Sequence, residues 1–185
     1  RPGIVHRIDK DTTGLICAAK NDFAHLSLAS QLEDHSMHRE YRLICVGNLR
    51  EDSGRIDAPI GRHPTYRKKM AVAKFSDAKA RRAVTNWRVL ERFNLPYTYA
   101  EAVLETGRTH QICVHFSYIG HPLMGDETYG GGHTPFEKKN SSLLSVQMLH
   151  AYALILKHPR TGETMRFETP LPENFAEMLE KLRKS

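Results

Sequence analysis

The sequence predicts an α+β fold, a mostly antiparallel mixed sheet with flanking helices. Three observations carry this expectation. Most apolar segments are of strand length and rich in Val, Ile, Thr and aromatic residues, as in Tyr41-Arg42-Leu43-Ile44-Cys45-Val46. Helical spacing of apolar side chains is confined to three places, around Phe23, Ile112 and Phe175. Strands therefore outnumber helices and do not alternate with them, as a doubly wound nucleotide fold would require. With 185 residues the chain has room for one domain with a sizeable core.

Taken in order, Gly3-Ile4-Val5 reads as a short strand and Leu15 to Lys20 as a second, buried on both faces. Asp22 is placed to cap a helix running to about Asp34, with Phe23, Leu26, Ala29 and Leu32 at helical spacing. Tyr41 to Val46 is a core strand, and Gly54 to Gly61, with Pro59, a loop. Met70 to Phe75, Ala83 to Glu91 and Tyr97 to Thr106 follow as strands. Gly107 breaks the pattern, and Thr109 can cap a helix whose stripe is Ile112, Phe116 and Ile119; Gly120 and Pro122 end it. The polar stretch from Gly130 to about Ser142 predicts a mobile loop. Leu149 to Lys157 and Met165 to Glu168 form a hairpin across His158-Pro159-Arg160-Thr161-Gly162. Pro172 leads into a closing helix with Phe175, Met178, Leu179 and Leu182 on one face.

Composition narrows the function. The chain is 40% hydrophobic, yet no apolar run approaches the roughly 18 to 20 residues needed to span a membrane, so a membrane partner is not expected. It starts at Arg1 with neither a methionine nor a signal-like segment, which reads as a piece of a longer cytoplasmic protein. Cys17, Cys45 and Cys113 are far apart, form no CxxC pair and lie in apolar surroundings, predicting buried reduced thiols. The histidines include no HExxH, and His110, His115 and His121 lack ligand spacing, so no metal and no other cofactor is expected.

The net charge of +6 is unevenly spread. Between Arg62 and Arg82 lie Arg67, Lys68, Lys69, Lys74, Lys79 and Arg81, opposed only by Asp77 and joined by the aromatic Tyr66. That pattern reads either as a solvated face or as a surface for a polyanion such as nucleic acid.

Three segments combine glycine with dense polar residues: His6 to Gly14, Arg39 to Tyr41, and Glu105 to Gln111. None is a P-loop, a GxGxxG turn or a GxSxG elbow, so phosphate-loop and serine-nucleophile chemistry are unsupported. The stretch HRIDKDTTG places two carboxylates and three basic side chains beside the apolar run that begins at Leu15. Local pattern alone favours an ordinary turn, because Asp, Thr and Gly are common turn formers.

Further motifs occur in series: RPGIVHRIDKDTTGL, REYRLICVG, LETGRTHQICVH, IGHPLMGDETYGG and LHAYALILKHP. Together they resemble the RluA-type pseudouridine synthases, especially the D-like branch that modifies the large ribosomal subunit, from Arg1 to about Leu182. The resemblance implies the pseudouridine synthase catalytic fold and isomerisation of uridine to pseudouridine within RNA, without a cofactor. Large-subunit ribosomal RNA is the implied partner. The family's essential aspartate falls on Asp9, with Asp11 as a rival carboxylate in the same turn. Its active-site tyrosine falls on Tyr41, implied to stack on the target base and assist removal of the C5 proton. Arg7, two residues before Asp9, is expected on the same side of an extended segment and in contact with RNA near an extruded nucleotide. Arg67, Lys68 and Lys69 are expected on RNA phosphates, and Arg108 is expected to contact RNA as well.

The third motif departs from the family pattern. GRTHQIR or GRTHQLR is usual there, its last arginine pairing with the aspartate; here that position is Cys113. A thiol cannot hold a carboxylate ionised as a guanidinium does. Three readings stay open: an inactive natural variant, an altered residue, or compensation by a neighbour such as Arg108. Reduced turnover is expected rather than complete loss, and an RNA-binding module without turnover is the alternative. Family members also carry a further strand region before HRID, and often an S4-type domain. Residues 1–185 are therefore expected to be one catalytic domain, incomplete at its N-terminus and without an S4 domain.

Overall fold

The computed structural model describes residues 3–66, 68–74 and 76–185. Its centre is β2 (His38–Val46), which carries the unbroken apolar run Leu43–Val46. Side chains on a strand alternate between faces. Tyr41, Leu43 and Cys45 accordingly join one apolar cluster, while Ile44 and Val46 join another. One edge of β2 pairs antiparallel with β7 (Tyr97–Leu104), the other with β8 (Leu149–Lys157). The full order is β1-β8-β2-β7-β6-β3, where β1 is Thr13–Gly14, β3 Ser53–Asp57 and β6 Val84–Arg92. A last strand, β9 (Thr164–Glu168), also pairs with β8, and among the described residues only the short β1–β8 contact is parallel. Strands β4 (Ile60–Arg62) and β5 (Met70–Val72) form a separate small ribbon.

Each face takes a helix. On one side α2 (Gln111–Tyr118) sets Ile112, Cys113 and Phe116 against Leu43, Cys45, Ala100 and Ala102. On the other, α4 (Glu173–Arg183) buries Phe175, Met178, Leu179 and Leu182 against Ile44 and Met148. Each such large side chain contributes about 1.5–3 kcal/mol when fully buried. Helix α1 (Asp22–Glu33) lies across the end of β8, with Leu28 packed near Leu154 and Leu156. No helix among the described residues is long and apolar enough to cross a membrane.

The α+β class stands, and several element assignments change. Leu15 to Lys20 is not a strand: only Ala18 bridges, to Ile4, and Gly3 to Val5 offers no more than that bridge. The edge of β8 that would receive the segment is taken by β9 from Ala153 to Lys157. Residues 54–61 contain most of β3 and the start of β4 instead of a loop. Gly54 is there for space, because a Cβ would meet the Trp87 ring at 2.5 Å. The strand from Met70 is short, ending at Val72, and Phe75 lies outside the described residues. Asn21, not Asp22, caps α1, its side chain accepting from Ala24 N at 2.9 Å. The Gly130–Ser142 stretch holds a helix, α3 (Pro135–Lys139). Its start is closed by a reciprocal capping box between Thr134 and the buried Glu137. Cys17 is only half-buried, whereas Cys45 and Cys113 are buried, and all three are free thiols.

Candidate active site

The polar turn at residues 6–14 is pinned to β8 at its far end. Thr13 Oγ1 meets His150 Nδ1 at 2.8 Å, and Leu15 N donates to Ala151 O at 2.9 Å. Gly14 has φ +112°, and a Cβ there would collide with Ala151 O, so this crossing point excludes other residues. Within the turn Thr12 N donates to Asp9 O at 3.0 Å. Anchored in this way, the turn leaves the Asp9 side chain 18% exposed at the floor of a cleft.

Two groups hold the Asp9 carboxylate. His110 N donates to Oδ2 at 3.1 Å, and Arg7 Nη2 approaches Oδ1 at 3.5 Å. His110 is the N-cap of α2 in place of Thr109, and it sits in the left-handed region with φ +54°. A non-glycine residue adopts that conformation only when its surroundings enforce it. Here the ring does so: His110 Nδ1 lies 2.8 Å from Tyr129 Oη, which accepts from Met70 N at 2.9 Å. Burial pushes the Tyr129 phenol up to about 12, so it keeps the proton that can point at His110. Gln111 locks the same turn from beneath. Its Nε2 donates to Val84 O and Thr85 Oγ1, and its Oε1 accepts from Thr106 Oγ1 and Arg108 N.

The walls of the cleft bring together Arg7, Asp9, Arg39, Tyr41, Gly107 and Arg108. Tyr41 is buried on β2, and burial raises its phenol above the ordinary range, keeping it neutral. Arg39, two residues earlier on the same strand, is 8% exposed, and its Nε has no partner among the described residues. Arg108 donates its Nε to Arg82 O at 3.1 Å. The cation on Asp9 is thus Arg7; among the described residues Arg108 makes no ion pair with Asp9 that would replace the missing arginine. Lys68 is exposed and Lys69 sits 5.5 Å over the Tyr66 ring, both away from this cleft; Arg67 lies outside the described residues.

Cys113 is 3% exposed on α2. Burial first, then the carboxylates of Asp126 and Asp9, push its thiol well above its ordinary value. Asp126 is 5% exposed; its Oδ1 accepts from Thr128 N and Tyr129 N at 3.1 Å each, while Oδ2 has no partner of hydrogen-bond geometry among the described residues. Burial pushes this carboxyl above its usual range, against a pull from the Cys113 thiol and the two N–H donors. A neutral thiol therefore stands where two carboxylates converge.

Residues 1–118 match the family described as RNA pseudouridylate synthase. The chain belongs to that family. It is 51% identical over 185 residues to an uncharacterized RNA pseudouridine synthase, YlyB, of Bacillus subtilis, covering 100% of this chain and 57% of that protein. It is 48% identical over 189 residues to the ribosomal large subunit pseudouridine synthase D of Pseudomonas aeruginosa, covering 99% and 57%. The chain thus spans little more than half the length of these relatives. Two solved human structures share the fold. RNA pseudouridylate synthase domain containing 4 has a TM-score of 0.80 at 27% identity, over 97% of this chain and 75% of that one. Domain containing 1 has a TM-score of 0.74 at 26% identity, over 98% and 80%.

The pseudouridylate synthase sheet so identified carries site residues that the motifs alone do not single out. His110, Gln111, Asp126 and Tyr129 lie inside those motifs without an expected role, and Arg39 is visible in the sequence only as a polar neighbour of Tyr41. Their signal is present only as polar side chains, of which the fold buries Arg39, Gln111 and Asp126 and leaves His110 and Tyr129 partly exposed.

Proposed function

We propose that this chain isomerises uridine to pseudouridine in structured RNA, with large-subunit ribosomal RNA as substrate, and that Asp9 is the group that does it. One observation carries the reading. A carboxylate is held by a backbone N–H and a guanidinium on the floor of an open cleft, with a buried tyrosine on the cleft wall. The reaction breaks the N1–C1′ bond, forms C5–C1′, removes the C5 proton and leaves a proton on N1. Atoms and electrons balance with no redox partner. Asp9 is suited either to attack C1′ or to relay a ribose proton while positive charge develops on the sugar. Tyr41, neutral in its buried site, offers a ring on which the target base stacks. A stacked uridine must leave its helix or loop to reach this floor, so the nucleotide is flipped. Arg7, on the rim, both steadies Asp9 and meets the strand from which the base is drawn. Residues 1–185 act as the catalytic domain, and the work is done on ribosomal RNA in the cytoplasm.

A second reading is favoured by Cys113: an RNA-binding module with little turnover, because among the described residues no arginine joins Asp9 to Asp126. Tritium release from C5-labelled uridine in a large-subunit ribosomal transcript separates the two. Release that disappears in Asp9→Asn supports the isomerase; binding without release supports the module.

A further inference from the structure

Strand β2 carries two arginines that are handled in opposite ways. Arg42 points to the side where Glu101 meets it in an ion pair and Tyr152 lies 4.1 Å beneath its guanidinium. Arg39 is 8% exposed, and no hydrogen bond or ion pair to its side chain occurs among the described residues; its Nε is buried without a partner. Its guanidinium lies along Gly107, where an added Cβ would come within 2.5 Å of Nη1. From there it borders both the Asp9 cleft and the adjoining hollow lined by His6, Arg7, Glu105 and Arg108. Burying an uncompensated cation costs folding stability. A fold that keeps one has a use for its charge.

The surroundings narrow what that use can be. Glu105 does not supply the missing anion, because its carboxylate is taken by Arg55 and Asn86. His6 is neutral, its pKa lowered to about 4 by burial and by Arg39 itself. Arg108 and Arg7 add further positive charge at the rim. A guanidinium presents a planar fork of donors that fits the paired oxygens of a phosphate. We infer that Arg39 is the receptor for a phosphodiester of the bound RNA strand, beside the uridine that reaches Asp9. This rests on the RNA-modifying reading above and adds the group of the RNA that the cleft grips. Anchored there, the strand is fixed at one phosphate while the neighbouring base turns toward Tyr41.

The test uses the full chain, its Arg39→Met, Arg39→Gln and Arg39→Lys variants, and a fluorescent octauridylate as probe. Without RNA, Arg39→Met should melt several degrees higher than the parent, because it removes a buried unpaired charge. It should bind octauridylate roughly tenfold more weakly. Its plot of log affinity against log salt should be shallower by about 0.7, the share of one phosphate on a single strand. Arg39→Lys should keep the slope. Should Arg39→Met fail to fold, the slope is read on Arg39→Gln, and failure to fold itself counts against a ligand-ready charge. A lower melting temperature with an unchanged slope would make Arg39 a structural residue and overturn the inference. So would slower tritium release without any change in slope, which would place its action on Tyr41. If inorganic phosphate alone raised the melting temperature as much as the oligonucleotide does, the ligand would be a small anion and not RNA. Absence of tritium release by the parent protein would sink the isomerase reading separately, leaving the slope comparison intact.

Discussion

Two glycine-bounded turns deliver a carboxylate to the start of α2 and treat it differently. The turn at residues 6–14 leaves Asp9 18% exposed, with a backbone N–H on one oxygen and Arg7 on the other. The turn at residues 125–132 buries Asp126 to 5% exposure, gives one oxygen two N–H donors and leaves the other with only the Cys113 thiol nearby and no partner of hydrogen-bond geometry among the described residues. Residue type is the same and the distance along the fold is short. What differs is access to a cleft and to a cation. The acid that has both is the one proposed to meet substrate, and the acid that has neither braces Tyr129, whose hydroxyl in turn lies against His110. Cys113 stands beside both, where a cation would treat them alike.

Converting that position tests the comparison with the largest expected effect. Cys113→Arg would put a guanidinium between the two acids, and turnover should rise about 10- to 100-fold, the range a close cation exerts on a carboxylate. Single-turnover tritium release checks this; no gain would show that the position does not limit catalysis.

Asp126 offers a test of intermediate size with a definite sign. Burial raises its carboxyl above the ordinary 3.8 in the folded state. Folding therefore favours the protonated form, and stability is lost as pH rises from the unfolded value through the higher folded one. Asp126→Asn keeps an oxygen for Thr128 and Tyr129 and removes the titration. We expect the variant to gain about 1–3 kcal/mol over the parent near pH 7. The gain should vanish below the unfolded value. Denaturant unfolding at both pH values reads it, and a gain that grew on acidification would reverse the argument.

The smallest effect is expected from the basic segment. Neutralising Arg67, Lys68 and Lys69 together should flatten the salt dependence of RNA binding by about 0.7–0.9 for each phosphate they neutralise. Turnover on bound RNA should be little changed, since Lys68 and Lys69 lie outside the Asp9 cleft. An unchanged slope would return them to a solvated face.

Much of this architecture is legible in the chain. The run from Tyr41 to Val46 declares a strand buried on both faces, and Phe175, Met178, Leu179 and Leu182 declare the face of α4. Other features depend on partners far away in sequence. Leu15 to Lys20 has the composition of a strand, yet β9 holds the edge it would need. Gly54 looks like a loop residue until Trp87 is placed across from it. Glycines at 130–132 mask the capping box of Thr134 and Glu137 just beyond them. In the site, motif order singles out Asp9 and Tyr41. It cannot show that Arg39 meets no carboxylate among the described residues, or that His110 takes a left-handed conformation to hold Asp9, because both facts arise from three segments meeting.

The assignment of the working acid is open to one direct measurement. Tritium released from C5-labelled uridine in a large-subunit ribosomal transcript is followed for the parent chain and for Asp9→Asn, with RNA binding measured alongside. The account predicts unaltered binding and a loss of release of about 10²-fold or more, the scale of a removed acid–base or nucleophilic group. Release at the parental rate from the Asp9→Asn protein would contradict it.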